Sequence, residues 1–358
     1  MGSHGPAKTA RYSADMTEKR RICWALTDGR RGMENQVLGL AEAVAAQCDV
    51  EVMVKRARLA PARNWMPEAV LASPFVNPLV HTTPDSDPLG PPYPDLLIGC
   101  GRAAVGLSVA LHRAGQAAGK RIATVQCQEP RISPSHFDLV VPPAHDGLTG
   151  ANVIPILGAP NRVTPDRLKT ETKKWQPSVA ALPRPLVSVL IGGSSHAYEM
   201  TEGAARKLCD QLLALRDSTG CGLAVTASRR TGDVIGKLVR ERLKGKGIWF
   251  WNEEGENPYF GMLALADHIV VTSDSTNMVT EAAGTGAPIH VVHLPGGSPK
   301  FSRFHRAMET RGFARPFDGT LSKWSYEPLN EAARIAPKIK ELLADLAPAD
   351  LARMAESR

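Results

Sequence analysis

The sequence predicts an α/β protein built from two consecutive domains of similar size. Three observations predict it. Short apolar runs alternate with helix-like stretches from Arg21 to Val292, the signature of β-α-β units and mostly parallel sheets. A chain of 358 residues is long for one core and suits two domains of ~150 residues. A proline-rich stretch, Pro160–Pro185, interrupts the alternation near its middle. The expected domains are therefore 20–165 and 186–330, joined by a linker at 166–185. Residues 1–19 are polar and small and are expected to be disordered. Residues 331–358 are expected to carry a C-terminal helix that packs back on the first domain.

In the first half, Arg21–Leu26 is a buried strand, and Glu34–Gln47 a helix with Val37, Leu38, Leu40, Ala41 and Val44 on one face. Strands follow at Val50–Val54 and Leu96–Gly99, then a helix at Ala103–Ala118. Arg121–Gln126 and Leu139–Val141 are further strands, and Val153–Pro155 a last short one. The linker holds a short helix within polar Thr164–Lys174. The second half runs strand Leu186–Ile191, helix Met200–Ser218, strand Gly222–Thr226, helix Thr231–Leu243, strand Ile248–Trp251. Helix Tyr259–Ala266 and strand His268–Thr272 come next, then a polar turn, a helix, a glycine break and a last buried strand ending at Val292. Glu331–Leu346 is an amphipathic helix. Between Arg63 and Pro94 lies a proline-interrupted apolar stretch, with Trp65, Met66, Val70, Leu71, Phe75, Val76, Leu79 and Val80. A loop this long and apolar suits a lid, an acceptor pocket, a membrane-dipping segment or a cover on the core.

The composition narrows the function. No apolar run reaches the ~18–20 residues of a membrane span. The six cysteines are scattered without a C-x-x-C pair and read as buried, reduced thiols of a cytosolic protein. The net charge of +7 is not concentrated in one block, and no nucleic-acid module is recognisable. Phosphorylated ligands and anionic lipid surfaces suit the charge better than nucleic acid. No metal pattern stands out, and no cofactor is expected.

The second domain carries polar loops at successive strand ends, where open α/β sheets bind ligands. Gly192, Gly193, Ser194 and Ser195 follow its first strand; glycines admit a phosphate close to the backbone, and hydroxyls add donors. Ser273, Asp274, Ser275, Thr276 and Asn277 sit at a helix N-terminus, a second phosphate-friendly turn. Glu281 lies further along that helix, where a carboxylate accepts from sugar hydroxyls. Arg229 and Arg230 are placed to fork onto a diphosphate, and Trp251 and Asn252 to meet a nucleobase. Each of these motifs alone also fits an ordinary turn or a core residue; their recurrence is the signal. In the first domain, T-D-G-R-R-G-M-E-N-Q (27–36) places Gly29, Asn35 and Gln36 on the acceptor side, with Arg102 at another strand end. Asp28 is the best-placed carboxylate to deprotonate an acceptor hydroxyl, and His145 is a rival base.

The G-G-S-S-H loop (192–196) and the S-D-S-T-N-M…E-A…G-T-G-A-P run resemble the C-terminal domain of GT-B glycosyltransferases, in pattern nearest the lipid-linked N-acetylglucosamine transferase of peptidoglycan synthesis. From Ile22 to about Phe317 the chain looks like the bacterial relatives of the plant mitochondrial-fission (elongated-mitochondria) protein, among them O-antigen-type glycosyltransferases. G-C-G-R (99–102), F-D-L-V-V-P-P-A-H-D (137–146), S-R-R-T (228–231) and N-P-Y (257–259) carry that resemblance together with the motifs above. It implies a GT-B fold, two Rossmann-like domains facing across a cleft, with the donor on the second. By analogy Gly193, Ser194 and Ser275–Asn277 would hold the diphosphate and Glu281 the ribose. The histidine usual in the first loop of GT-B enzymes is replaced by the Asp28 context. Plant members of the family are associated with recruiting a fission GTPase, which needs no catalysis.

The expected activity is metal-independent transfer of a sugar from a nucleotide diphosphate sugar to a lipid or envelope-glycan acceptor. The expected site is cytoplasmic, at the inner face of a membrane with an anionic surface. A non-catalytic adaptor and a non-hydrolysing sugar-nucleotide epimerase are the alternatives.

Overall fold

The computed structural model describes residues 20–345 except residue 64, so the expectation for 1–19 and the last part of 331–358 lie outside the described residues. The first sheet contains β1 (Arg21–Thr27), β2 (Val50–Arg56), β3 (Leu96–Cys100), β4 (Ala123–Cys127) and β5 (Leu139–Val141), in the order β2-β1-β3-β4-β5. All of its pairings are parallel. Helices α1 (Arg31–Ala45), α2 (Glu68–Leu71) and α3 (Arg102–Ala117) complete this half. β3, β4 and β5 are buried along their whole length because helices cover both faces, which is why they read as unbroken apolar runs.

Helix α4 (Pro165–Val179) leads into the second sheet. This sheet contains β6 (Leu186–Ile191), β7 (Gly222–Ala227), β8 (Ile248–Phe250), β9 (His268–Thr272), β10 (Ile289–Val292) and β11 (Ala314–Pro316). Its order is β11-β10-β9-β6-β7-β8, again parallel throughout. The helices are α5 (Glu202–Thr219), α6 (Asp233–Arg242), α7 (Tyr259–Leu265), α8 (Thr276–Ala283), α9 (Pro299–Thr310) and α10 (Glu331–Ala344). In both sheets the chain starts near the middle, builds one side and then the other. The switch point lies between β1 and β3 in the first sheet and between β6 and β9 in the second.

Three elements differ from what the sequence pattern predicts. Residues 153–156 form isolated bridges to Val140 and Pro143 and no strand, since β5 offers them only a short edge. The short helix expected in the linker is the fifteen-residue α4, capped by Thr164 and packed on α7 so closely that a Cβ on Gly261 would collide with the Trp175 ring. Helix α9 and strand β11 are not announced by the sequence pattern, because β11 pairs only through its short contact with β10.

Helix α10 crosses back from the second half to the first. Ala332, Ile335, Ala336, Ile339 and Leu343 share one core with Val37, Leu40, Ala41 and Val44 of α1. Glu331 accepts from the Leu157 N–H at 3.0 Å and fixes the start of the helix. Ile339 is fully buried in that core. Ile339→Ala is expected to cost about 3 kcal/mol of stability, the range for truncating a large aliphatic side chain in a packed core; denaturant unfolding of the variant measures it.

Candidate functional site

At the switch point of the second sheet, the loops after β6 and β9 lie side by side. The Asp274 side chain is wholly buried between them. It accepts from the Gly193 N–H at 3.0 Å, from the Thr272 hydroxyl at 2.6 Å, and pairs with the Arg230 guanidinium at 2.7 Å. Gly192 is required here, because a Cβ would run into the Asp274 carboxylate. The structure thus brings together Gly192, Gly193, Arg230 and the 273–277 turn, and corrects the way they were expected to work. The Gly193 N–H is taken by Asp274, the Ser194 N–H by the Arg230 carbonyl at 3.2 Å, and the Ser195 N–H by the Tyr198 carbonyl at 2.8 Å. A carboxylate of the protein itself occupies the anion position of the glycine loop. Ser273 is corrected too: it is fully buried, its hydroxyl accepting from the Leu294 N–H and its carbonyl facing His305. Free groups remain next to this floor. Ser194 and Ser195 are exposed, with hydroxyls accepting only from nearby backbone N–H groups. Arg229 is exposed beside them.

Helix α8 starts at the edge of the same floor. The Ser275 hydroxyl caps it by accepting from the Met278 N–H at 3.3 Å. Among the described residues nothing accepts from the backbone N–H groups of Ser275, Thr276 or Asn277. The first two turns of α1 meet them from the other domain. Gln36 Nε2 donates to Asn277 Oδ1 at 3.2 Å, and Asn35 Nδ2 donates to Glu281 Oε1 at 3.1 Å. Two helix N-termini therefore converge, each with positive partial charge on unsatisfied N–H groups. The seam between them, lined by Gly32, Asn35, Gln36, Asn277 and Glu281, is too narrow to admit a water molecule.

Glu281 is the ionisable centre of the seam. Besides Asn35, the Tyr259 hydroxyl donates to its Oε2 at 2.6 Å. Burial drives the carboxyl up from 4.5 to about 6, against the two donors that favour its charge. Gln36 is also held from within its own domain: its Oε1 accepts from Gln128 Nε2 at 3.1 Å and from the Cys100 thiol. Asn35 and Gln36, expected on the acceptor side, thus join the two domains. Tyr259 and Gln128 complete the site, and no spacing in the sequence ties them to Glu281 or Gln36. Asp274 did leave a signal: an acid in an anion-binding turn needs a cation, and the S-R-R-T run supplied one.

The remaining predicted residues scatter. Asp28 sits at the first switch point, its Oδ2 near Gly101 and its carboxylate accepting from the Arg30 N–H at 3.0 Å and Arg30 Nε at 2.7 Å. Gly29 beside it adopts a φ of 82°, the left-handed turn expected of a glycine. Arg102 holds the Glu68 carboxylate and the Met66 carbonyl, tying down the 61–81 segment. His145, expected as a rival base, is buried between the domains against Phe301 and Phe304, and burial lowers it to about 4. That environment serves packing of the 144–146 turn on α9, reinforced by Lys300 on Asp146 at 2.5 Å and Arg303 on the His145 carbonyl at 2.8 Å. Trp251 and Asn252 follow the edge strand β8, where both bond to Glu254; none of their hydrogen bonds reaches the β6 or β9 loops. Among the described residues no group of three or more His, Cys, Asp or Glu could hold a metal ion. No helix among them is long and apolar enough to cross a membrane.

Two parallel sheets with facing switch points and a C-terminal helix returning to the first domain define a GT-B-like α/β protein. Among solved structures, the chain is similar to UDP-GlcNAc 2-epimerase from Methanocaldococcus jannaschii, with TM-score 0.54, 10% identity, and coverage of 89% of this chain and 99% of that one. The chain belongs to the family described as Mitochondrial fission ELM1, which it matches over residues 31–343. It is 30% identical over 278 residues to "Mitochondrial fission protein ELM1" of Arabidopsis thaliana, covering 70% of this chain and 64% of that relative's length. The chain therefore spans less than two thirds of the plant protein. An uncharacterized protein of Rickettsia prowazekii is 24% identical over 358 residues, covering 88% of this chain and 97% of that one.

The seam generates two expectations. The folded state binds the Glu281 proton more tightly than the unfolded chain, so this contribution to stability is complete below pH 4.5 and is lost as pH rises through about 6. Glu281→Gln is expected to match the parent near pH 4.5 and to exceed it by on the order of 2 kcal/mol above about pH 7, read from thermal unfolding at both values. Parting the two domains at the seam breaks the Gln36–Asn277 hydrogen bond. Gln36→Ala is therefore expected to lower the stability of the folded chain by about 1 kcal/mol or more, the value of at least one net hydrogen bond; denaturant unfolding of the variant measures it.

Proposed function

We propose that the seam is the closed form of a nucleotide diphosphate site, and that the protein is a metal-independent glycosyltransferase acting on a lipid or envelope-glycan acceptor. The convergence of the α1 and α8 N-termini carries the reading. Two helix ends with free N–H groups create a site for an anion, and Arg229 and the Arg230–Asp274 pair lie on its floor. On domain opening, the diphosphate would take the N–H groups of Ser275, Thr276 and Asn277 and the hydroxyls of Ser194 and Ser195. Arg229 or Arg230 would neutralise it as it leaves, a role that demands no bound cation. Asn35 now donates to Glu281 as a ribose hydroxyl would. Ribose would replace Asn35 while Tyr259 keeps the other carboxylate oxygen. Asp28, at the facing switch point, would accept the acceptor's proton once Arg30 releases it. A second structure of the M. jannaschii epimerase, with TM-score 0.51 to this chain, is of its complex with UDP-GlcNAc and UDP. That complex supports nucleotide binding by the fold, not a particular reaction.

The tightly shut seam favours one second reading, a non-catalytic adaptor in which α1 and α8 simply lock the domains together. Calorimetry with UDP, GDP, ADP and CMP sugars separates the two. Binding of at least one donor, weakened about tenfold or more in Glu281→Ala, is expected. Asp28→Asn is expected to leave donor binding intact and to lower turnover by about 10²-fold or more, the usual worth of a general base. Absence of binding across the panel would leave the adaptor. Epimerised nucleotide formed without an acceptor would replace transfer by epimerisation.

A further inference from the structure

Four of the six exposed large hydrophobic side chains among the described residues fall in one short segment of the first domain. Trp65, Val70, Phe75 and Val80 recur at every fifth position and are 73%, 38%, 94% and 71% exposed. Their neighbours point the other way: Met66 and Leu71 are buried in the core over α3, and Val76 and Leu79 pack against it. The segment is therefore not a loosely packed loop. It is anchored from beneath while four apolar side chains along it, two of them aromatic rings, face water; by their spacing in the chain they form a row. Single exposed apolar residues are ordinary on soluble proteins; a row on an anchored segment is not.

Three guanidiniums, Arg63, Arg102 and Arg131, lie beside α2, whose one acid is Glu68. Glu68, the acid of α2, is shared by two guanidiniums, Arg102 at 3.2 Å and Arg131 at 3.8 Å. The Arg131 side chain is itself 73% exposed. Arg63 contacts the Met66 sulfur and pairs with no carboxylate among the described residues. An apolar row with surplus guanidiniums beside it complements a layer with an apolar interior and negative phosphates on its face. We propose that this face docks on an anionic lipid bilayer. Trp65 and Phe75 enter between headgroups, and Arg63 and Arg131 lie against lipid phosphates. The proposal does not depend on nucleotide binding, since none of these residues touches the seam. It does place the first domain, the acceptor side of the proposed transferase, next to a membrane.

Flotation of the full chain with vesicles tests it. Binding is expected to vesicles of phosphatidylcholine mixed with phosphatidylglycerol, and to be much weaker with phosphatidylcholine alone. The double variant Trp65→Ser, Phe75→Ser is expected to keep its unfolding temperature, since both rings are exposed, and to lose vesicle affinity by about tenfold or more. Arg63→Gln with Arg131→Gln is expected to lose the preference for anionic vesicles. No flotation with anionic vesicles, or equal flotation of the parent and the serine variant, overturns the proposal. So does a dimer of the parent that the serine variant abolishes without any flotation, which would make the occupant a second copy of this chain.

Discussion

The buried Asp274 carboxylate is the contact on which the strand-end loops of the second domain depend. A charge with no exposure persists in a protein interior only when every oxygen is matched. Here the matches come from three different strand ends: Thr272 of β9, Gly193 after β6, and Arg230 after β7. One side chain therefore fixes the relative positions of three loops. The loop after β7 is further tied by Thr231, whose hydroxyl donates to the Gly192 carbonyl. The result is a rigid floor that uses up the glycine loop's own donors and leaves hydroxyls, Arg229 and the α8 terminus at its surface.

Across this floor the domains meet through polar side chains and not through apolar packing. Asn35 with Glu281 and Gln36 with Asn277 are two hydrogen bonds, each worth little net free energy against water. Apolar contact is concentrated elsewhere, where α10 packs on α1 and where the 144–146 turn sits on α9. That distribution suits a hinge with a weak latch opposite it. The latch draws together two helix ends of like partial charge, with the carboxylate of Glu34 in the first turn of α1 and that of Glu281 one turn into α8.

Family membership and geometry bear on different questions. Membership in the Mitochondrial fission ELM1 family and the likeness to a sugar-nucleotide epimerase fold account for the architecture. What the seam could hold depends on local chemistry: which donors face it and which are already spent. Asp274 shows why the distinction matters, since a motif that reads as a phosphate cradle has a protein carboxylate inside it.

Much of the fold was legible in the chain. Fully buried parallel strands must be apolar throughout, so β3, β6 and β9 announce themselves, and the polar loops after them mark strand ends. The pairing of the 192–195 and 273–277 loops also followed from parallel topology. Short edge elements were not legible: 153–156 failed as a strand and β11 left no mark, because edge pairing leaves little pattern in so few residues. Which side chains face one another emerged with the packed molecule. Asn35 meets Glu281, Tyr259 completes its shell, and His145 disappears into interdomain packing. These contacts join residues far apart in the chain, and hydrophobic periodicity records which face of an element is buried without recording what lies opposite it. The residue pattern alone was enough for two parallel α/β layers and polar loops at their strand ends. The docking of one domain on the other then selected which of those polar groups are free, because hydrogen bonds are spent on whichever partner the fold brings within about 3 Å.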